Sequence, residues 1–216
     1  MLMQAKNSTG KQKAGSEARS SFTETGRRAQ IVAAAIDVIA EVGYHRASFA
    51  KIAERAGLSS TGMISYHFDG RGDLMREVVA EVMRVAEGYV RPRIEAHESY
   101  AGRLRASIEG NLDLFAEYPN HLSAITEILS NLRGGDPGMV AFLETAEANL
   151  AVQVEQIRKA QRAGEFCDFD PWVMMRAIRA AIDDVVRRAS HEPALDVRAA
   201  GRELADLFDR ATRSTS

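Results

Sequence analysis

Apolar residues recur every three or four positions along most of this 216-residue chain, and that spacing is the strongest constraint on its fold. In the first clear segment Ile31, Ala35, Val38 and Val42 lie on one face of an α-helix. Gly43 follows directly, at a position where glycine commonly ends a helix. No segment shows the alternation of apolar and polar residues that is typical of a half-buried strand. We therefore predict an all-α fold of about nine helices.

Capping residues and prolines mark the ends of the predicted helices. Ser48 is suited to begin the second helix, and Gly57 is suited to end it in a left-handed turn. Pro119 and Pro171 stand where the first turn of a helix tolerates proline. The predicted helices span about 27–42, 49–56, 60–68, 73–85, 101–117, 119–132, 138–163, 171–189 and 194–212, with a break at 134–137.

The first 22 residues are rich in Lys, Ser, Gly and Gln and contain no apolar run. We predict residues 1–22 as a disordered tail, whose basic side chains are either solvated or in contact with DNA phosphates. The chain shows neither the apolar core of a secretion signal nor the roughly 18 to 20 apolar residues of a membrane span. A single cysteine, Cys167, allows no internal disulfide, and its acidic neighbours disfavour a thiolate. These features predict a cytoplasmic protein in which Cys167 is structural.

Catalytic and metal-binding patterns are absent from the sequence. The histidines are widely spaced, with no pair at the helical spacing of metal ligands: His45, His67, His97, His121 and His191. The sequence contains no glycine-rich phosphate loop, no nucleophile elbow and no C-x-x-C motif. We therefore predict that the protein is not an enzyme and has no catalytic residue, metal or cofactor.

The first three predicted helices after the tail are short, and a tight turn that contains Gly57 joins the second to the third. This is the pattern of a helix-turn-helix, although an ordinary helix connection has the same periodicity. On a helical wheel of the third helix, Thr61, Ile64 and Phe68 point inward. The outward positions are free of acidic side chains and fit an approach to DNA: Ser59, Gly62, Met63 and Tyr66, flanked by Ser65 and His67.

Residues 27–74 combine several short motifs at fixed spacings: Gly43-Tyr44, Ser48, Ile52-Ala53, Ala56-Gly57-Leu58-Ser59, His67-Phe68 and Arg71. This pattern of 48 residues strongly resembles the DNA-binding domain of TetR/AcrR-family transcriptional regulators. The remaining two-thirds of the chain resembles that family only in length and helical character. Two details depart from the usual pattern. The turn is one residue longer, and Ser65 replaces a tyrosine, with Tyr66 beside it.

The resemblance implies that the third helix enters the major groove. The residues that we expect at the DNA are Ser59, Ser60, Thr61, Met63, Ser65, Tyr66 and His67, with Ser48 and Arg71 at phosphates. Ser48 equally fits a pure capping role, and Met63 either touches a thymine methyl group or covers the turn. Arg71 replaces the family's usual lysine. His67 fits a structural or phosphate-contacting role better than a metal ligand.

Charge is distributed unevenly, although the whole chain has a formal charge of only −2. Residues 1–76 have 11 Lys and Arg against 7 Asp and Glu, whereas residues 77–216 have 17 against 23. The basic excess therefore coincides with the predicted reader of DNA, as binding to phosphates requires.

By the same resemblance, the last two helices of two protomers form a four-helix bundle, which makes a homodimer with two DNA-binding domains one helical turn apart. The same apolar positions also fit an ordinary core within one chain. The predicted dimer residues are Met174, Ala177, Ala181 and Val185 on one helix, and Val197, Gly201, Leu204 and Phe208 on the other.

The resemblance also places a small, largely apolar effector among the middle helices. Polar residues on apolar stripes are what a ligand site shows, although each also fits a core or boundary position. The candidate pocket residues are Met83, Asn111, Phe115, His121, Ile125, Phe142, Asn149, Gln153, Trp172 and Met175.

We therefore expect three regions: the tail 1–22, a helix-turn-helix DNA-binding domain 23–72 and a ligand-binding and dimerisation domain 73–216. The expected function is a homodimeric transcriptional regulator, a repressor that a ligand releases from a palindromic double-stranded operator. An activator of the same family is the alternative within this class. An all-α enzyme or small-molecule carrier with an incidental helix-turn-helix is the alternative outside it.

Overall fold

The computed structural model describes residues 9–131, 137–189, 192 and 194–214. Nine α-helices and one short 3-10 helix, η1, make up this part of the chain: α1 (Thr9–Val42), η1 (Tyr44–Arg46), α2 (Phe49–Arg55), α3 (Gly62–His67), α4 (Arg71–Glu95), α5 (Tyr100–Glu117), α6 (Pro119–Asn131), α7 (Pro137–Arg162), α8 (Pro171–Ala189) and α9 (Val197–Thr212). Apart from an isolated bridge between Phe166 and Arg213, the described residues contain no strand. The predicted all-α fold is confirmed.

Most predicted helix ends agree with the structure to within a few residues. Asp170 caps α8 through its Oδ1 atom, which accepts hydrogen bonds from the backbone of Trp172 at 2.8 Å and Val173 at 3.0 Å. Asp196 caps α9 in the same way, through Ala199 at 2.9 Å. Of the predicted break at 134–137, residues 134–136 lie outside the described residues, and Pro137 begins α7.

The start of α1 differs from the prediction. The helix begins at Thr9, so residues 9–22 of the predicted disordered tail are helical, whereas residues 1–8 lie outside the described residues. This segment has no proline and several Lys, Gln, Glu, Arg and Ala residues, which are good helix formers. A helix that is already nucleated downstream extends through such residues at little cost.

The chain divides into two compact units between Val78 and Val79, a point that lies within α4. We call residues up to Val78 the head and residues from Val79 the body. None of the helices in the described residues is long and apolar enough to cross a membrane.

The core of the head is made by one face of each of its helices. Ile31 and Ile39 of α1, Ile52 of α2, Ile64 of α3 and Leu74 of α4 are all fully buried. Because side chains in a core are close-packed, these contacts fix how the short α2 and α3 lie against α1 and the start of α4.

The core of the body is built around α5. Leu112 and Ile108 of α5 pack among Val154 of α7, Ile178 of α8 and Ala205 of α9. Gly201 of α9 faces α5, and a Cβ atom there would lie in van der Waals contact, 3.4 Å from Leu112 Cδ1. The two helices are also joined by ion pairs at their rim, one of which links Arg105 with Asp206.

Candidate nucleic-acid interface

The end of α1 is determined by glycine. Gly43 has a φ of 82°, a value that other residues adopt only with strain, and its N–H donates to Ile39 O at 2.9 Å. The chain then turns through η1 to Ser48, whose Oγ accepts a long hydrogen bond of 3.4 Å from the N–H of Lys51. Ser48 is therefore the N-cap of α2, as predicted. Its side chain is exposed, which leaves the hydroxyl proton accessible from outside.

Arg71 has a different environment from the one that the sequence suggested. Its guanidinium donates to Ala47 O at 2.5 Å and to Tyr44 O, and it lies 4.5 Å from the centre of the Tyr44 ring. The side chain thus ties the start of α4 to η1. These bonds use two of its five N–H donors, so a phosphate contact would have to use the others and stays a prediction. Sequence spacing identified the position but not this partner, since the contact spans 24 to 27 residues.

The turn between α2 and α3 depends on Gly57, which has a φ of 64°. Leu58 N–H donates to Ala53 O at 2.8 Å, and this bond closes the end of α2. Gln30 of α1 also reaches this turn, where its Nε2 donates to Ala56 O at 2.6 Å. The predicted left-handed glycine is confirmed, whereas the bond from Gln30 was not visible in the sequence.

Helix α3 is six residues long and presents one apolar and one polar side. Ile64 and Phe68 are buried, whereas Ser65 is exposed and Tyr66 keeps 78% of its surface accessible. Thr61 is exposed, so the prediction that it points inward is wrong. Thr61 is the N-cap of α3, which begins at Gly62, and its side chain makes no capping hydrogen bond. Ser59 and Ser60 are exposed on the same turn.

Met63 and His67 are half-buried at the two ends of α3. The Ser59 hydroxyl points to Met63 Sδ at 3.8 Å, so the Met63 side chain lies over the turn. The His67 ring stands edge-to-face with Tyr66, with 5.0 Å between ring centres. Within the described residues, His67 Nδ1 is buried and has no hydrogen-bond partner.

The pKa of Asp73, in the first turn of α4, lies below its usual range. The first cause is a hydrogen bond from the Asp69 N–H to Asp73 Oδ2 at 3.0 Å, and the charges of Arg76 and Arg28 add to it. Since the ionised carboxylate is the favoured form, it supports the N-terminal end of α4, where a negative charge is stabilising.

The structure distributes the predicted pocket residues over different environments. Ile125 and Met175 are buried, and Met175 belongs to the core of the body. Asn149 and Gln153 are exposed on α7, and their place in a ligand pocket stays a prediction. The half-buried members are Met83, Asn111, Phe115, His121, Phe142 and Trp172.

One group of aromatic side chains joins α4 to the start of α6 inside the body. Tyr118 stands edge-to-face with Tyr89 at 5.7 Å and with His121 at 5.4 Å. The pKa of Glu81 is lowered, mainly by its hydrogen bond with Arg84 and further by His121. The sequence indicated His121 as a polar residue on an apolar stripe but not its aromatic neighbours.

The predicted dimer residues are also divided. Val185, Gly201 and Phe208 are buried within one protomer, so these three predictions are corrected. Gly201 faces α5, and the other two pack in the core of the body. Met174, Ala181, Val197 and Leu204 are half-buried, and Ala177 is exposed. Two large apolar side chains that the sequence reading missed are exposed on these helices, Val173 (67%) and Leu207 (52%).

Known proteins match this chain by sequence over only part of its length. The family model for bacterial regulatory proteins of the tetR family matches residues 31–78. The HTH-type transcriptional regulator BetI of Klebsiella pneumoniae is 38% identical over 89 residues, which is 40% of this chain and 45% of BetI. The chain thus matches less than half the length of this curated relative.

Solved structures extend the likeness to most of the fold. FadR from Bacillus subtilis, solved with stearoyl-CoA, has a TM-score of 0.71 and 22% identity over 83% of this chain and 96% of its own. AibR, solved with isovaleryl coenzyme A and operator DNA, has a TM-score of 0.71 and 17% identity over 84% of this chain and 97% of its own. Residues 31–78 therefore match the tetR family of bacterial regulatory proteins, and the chain shares its fold with these solved structures.

Proposed function

We propose that this protein is a DNA-binding transcriptional regulator, a homodimeric repressor that is released from a palindromic operator by a small ligand. The observation that supports this best is the outward side of α3. Ser65 and Tyr66 are exposed there, whereas Ile64 of the same helix and Phe68, which follows it, are buried. This side has no acidic residue and lies in the segment that matches the family model.

Electrostatics agree with a DNA-binding head. The first 76 residues have a net charge of +4, against −6 for the remainder. A protein that binds phosphates releases counterions from the DNA, so its affinity falls steeply as the salt concentration rises. The residues that we propose at the DNA, in contact with bases or phosphates, are Ser59, Ser60, Thr61, Met63, Ser65, Tyr66 and His67, with Ser48 at a phosphate.

The dimer that we propose uses the exposed sides of α8 and α9. Val173, Ala177 and Leu207 are exposed, and Leu204 is half-buried, so together they offer apolar surface to a partner. Exposed apolar surface on adjacent helices is typical of protein–protein interfaces. Two copies related by a two-fold axis would present two heads to half-sites about 34 Å apart on one side of the DNA.

We infer that the effector is small and largely apolar and that it binds in the body. FadR and AibR, which share this fold, were solved with acyl-CoA compounds, so acyl-CoA thioesters are the first compounds to test. A ligand that favours a different spacing of the heads would lower the affinity for the operator by its difference in affinity for the two states. Since a bacterial chromosome lies in the cytoplasm, we also place the protein there.

A binding experiment tests the proposal. Duplexes selected by the wild-type protein from random-sequence DNA are expected to share an inverted repeat and to bind with an affinity that falls with salt. Isovaleryl-CoA and stearoyl-CoA are then added to the complex, with free coenzyme A as the control. Selection that yields no shared sequence would reject the proposal of a specific regulator. Binding that no thioester weakens would reject the acyl-CoA effector alone.

The dimer has a separate test. Leu207→Asp buries a charge in the proposed interface and should shift the protein from dimer to monomer in analytical ultracentrifugation. Leu143→Asp, at a similarly exposed leucine of α7, is the control and should leave the mass unchanged. A dimer that survives Leu207→Asp would place the interface elsewhere.

A further inference from the structure

In the head, side chains from the long helices bond to backbone carbonyls at the ends of the short ones. Arg71 of α4 binds Ala47 O after η1, Gln30 of α1 binds Ala56 O after α2, and Arg28 of α1 binds His67 O at the end of α3. The last carbonyls of a helix have no partner inside that helix. Here, donors from outside supply those partners and thereby join each short element to a longer one.

Arg28 of α1 reaches both α3 and α4. One nitrogen of its guanidinium donates to His67 O, and the other pairs with Glu77 Oε2 of α4 at 2.9 Å. The same group lies 4.3 Å from the centre of the Phe68 ring. A single side chain of α1 therefore contacts the end of α3, the residue that follows it and the second turn of α4.

This arrangement matters for α3 because the helix is so short. Six residues cannot form a stable helix alone, so the direction of α3 depends on tertiary contacts. The buried Ile64 holds its middle, whereas Arg28 holds its C-terminal end. The planar guanidinium directs two donors at fixed angles, which the single ammonium group of lysine cannot reproduce.

The surroundings of Arg28 argue against direct contact with DNA. Its side chain is about two-thirds buried, and its charge is paired with Glu77. To reach a phosphate it would have to give up the carbonyl, the ring and the carboxylate together.

We infer that Arg28 is a positioning residue for DNA recognition, which acts through the His67 carbonyl to set the angle of α3 and itself touches no DNA. This inference rests on the proposed DNA-binding function. It predicts that loss of Arg28 lowers sequence specificity rather than general attraction to DNA, because base contacts depend on the placement of α3 and phosphate attraction depends mainly on charge.

The test compares Arg28→Gln with Arg27→Gln. The two variants remove the same charge from neighbouring positions of α1, and Arg27 bonds to exposed Gln30 on its own helix. Affinities are measured for a duplex selected by the wild-type protein and for a scrambled duplex of equal length, over a range of salt concentrations. We expect Arg28→Gln to lower the ratio of the two affinities roughly tenfold, the loss that one disturbed base contact produces. Arg27→Gln should leave the ratio unchanged.

Arg28→Lys provides a second variant that keeps the charge. It should reduce the same ratio while the slope of log affinity against log salt stays at the wild-type value. A phosphate-contacting arginine behaves differently, since its loss lowers both affinities and reduces that slope by about one. Thermal unfolding followed by circular dichroism shows whether each variant is folded at the assay temperature.

Each outcome distinguishes this inference from the proposed function. A wild-type protein that prefers no sequence rejects the function itself. A wild-type protein with a clear preference, together with an Arg28→Lys variant that keeps the full ratio, rejects the inference alone. Equal losses on both duplexes for Arg28→Gln and Arg27→Gln would assign Arg28 to general charge rather than to positioning.

Discussion

The elements of the head after α1 and before α4 have three to seven residues, whereas the helices of the body from α5 onward have 13 to 26. Long helices satisfy most of their backbone groups internally, and in the body their rims are joined by side-chain ion pairs such as Arg105–Asp206. The short elements of the head leave a larger share of carbonyls at their ends, and Arg28, Gln30 and Arg71 bond to these.

The comparison teaches that the two regions are sensitive to different substitutions. The body should respond mostly to loss of apolar volume around α5. The stability of the head should also fall when a single side-chain hydrogen-bond donor is removed. A buried carbonyl that loses its partner at the end of a short helix costs its full desolvation free energy. Four predictions test this difference, in order of decreasing effect.

Leu112→Ala should have the largest effect on stability. Leu112 is fully buried in the body and faces Gly201 of α9. A cavity at such a site costs about 2–5 kcal/mol of unfolding free energy. Urea unfolding at a fixed protein concentration measures it, with Leu143→Ala as the exposed control. If the two variants lose equal stability, the body is not centred on α5.

Tyr66→Ala should reduce DNA binding without loss of stability. Tyr66 is 78% exposed on α3, so its removal leaves the core of the head intact. A lost base contact lowers specific affinity by about tenfold, which corresponds to about 1.4 kcal/mol. Titration of the selected duplex measures the loss, and Leu143→Ala of the body serves as the control. An unchanged affinity would exclude Tyr66 from the proposed interface.

Gln30→Ala should destabilise the head by about 0.5–1.5 kcal/mol, the net value of a typical hydrogen bond. The substitution leaves Ala56 O without its 2.6 Å partner at the turn before α3. Arg27→Ala is the matched control, because it removes the exposed bond between Arg27 and Gln30 but keeps the bond to Ala56. Hydrogen exchange of the α2 amides and urea unfolding measure the effect. Equal results for the two variants would show that the carbonyl needs no partner.

A fall in pH should have the smallest of the four effects, a loss of folding stability through protonation of Asp73 in the head and Asp206 in the body. The pKa of each carboxyl is lowered, at Asp73 first by the Asp69 N–H and at Asp206 first by the hydrogen bond from Arg105. A lowered pKa in the folded state stabilises the fold above the usual pKa of aspartate, and this contribution is lost as the pH falls through the folded value.

The two carboxyls should therefore respond differently to salt. Stability is measured between pH 7 and about pH 3 at low and high salt, since aspartate ordinarily titrates near 3.9. Asp206→Asn should lose its effect at high salt because an exposed ion pair is screened. Asp73→Asn should keep more of its effect, because a backbone N–H bond is its main cause. Equal screening at both sites would contradict the proposed contrast.

Much of the fold was predictable from local signals. Glycines at 43 and 57 marked the ends of α1 and α2, and Ser48 and Pro171 marked helix starts, because these signals depend on residues that are adjacent in sequence. The pattern of residues 27–74 also predicted the family that the comparisons support. The body offered no such pattern, and there the predicted faces were partly wrong.

The errors in the body have a common physical reason. Apolar periodicity shows which side of a helix avoids water but not which neighbour covers it. Gly201 and Phe208 lay on the predicted dimer stripe, yet they face the core of their own chain. Asn149 and Gln153 lay beside apolar residues, yet they are exposed.

The sequence by itself determined the helical class, the ends of most helices and the presence of a DNA-binding head, since these depend on local propensity and on short fixed spacings. Only the tertiary structure decided what Arg71 and Arg28 do. Their partners lie 24 to 49 residues away, and long side chains with several donors fit solvent, phosphate or carbonyl equally well until the fold brings one of these within reach.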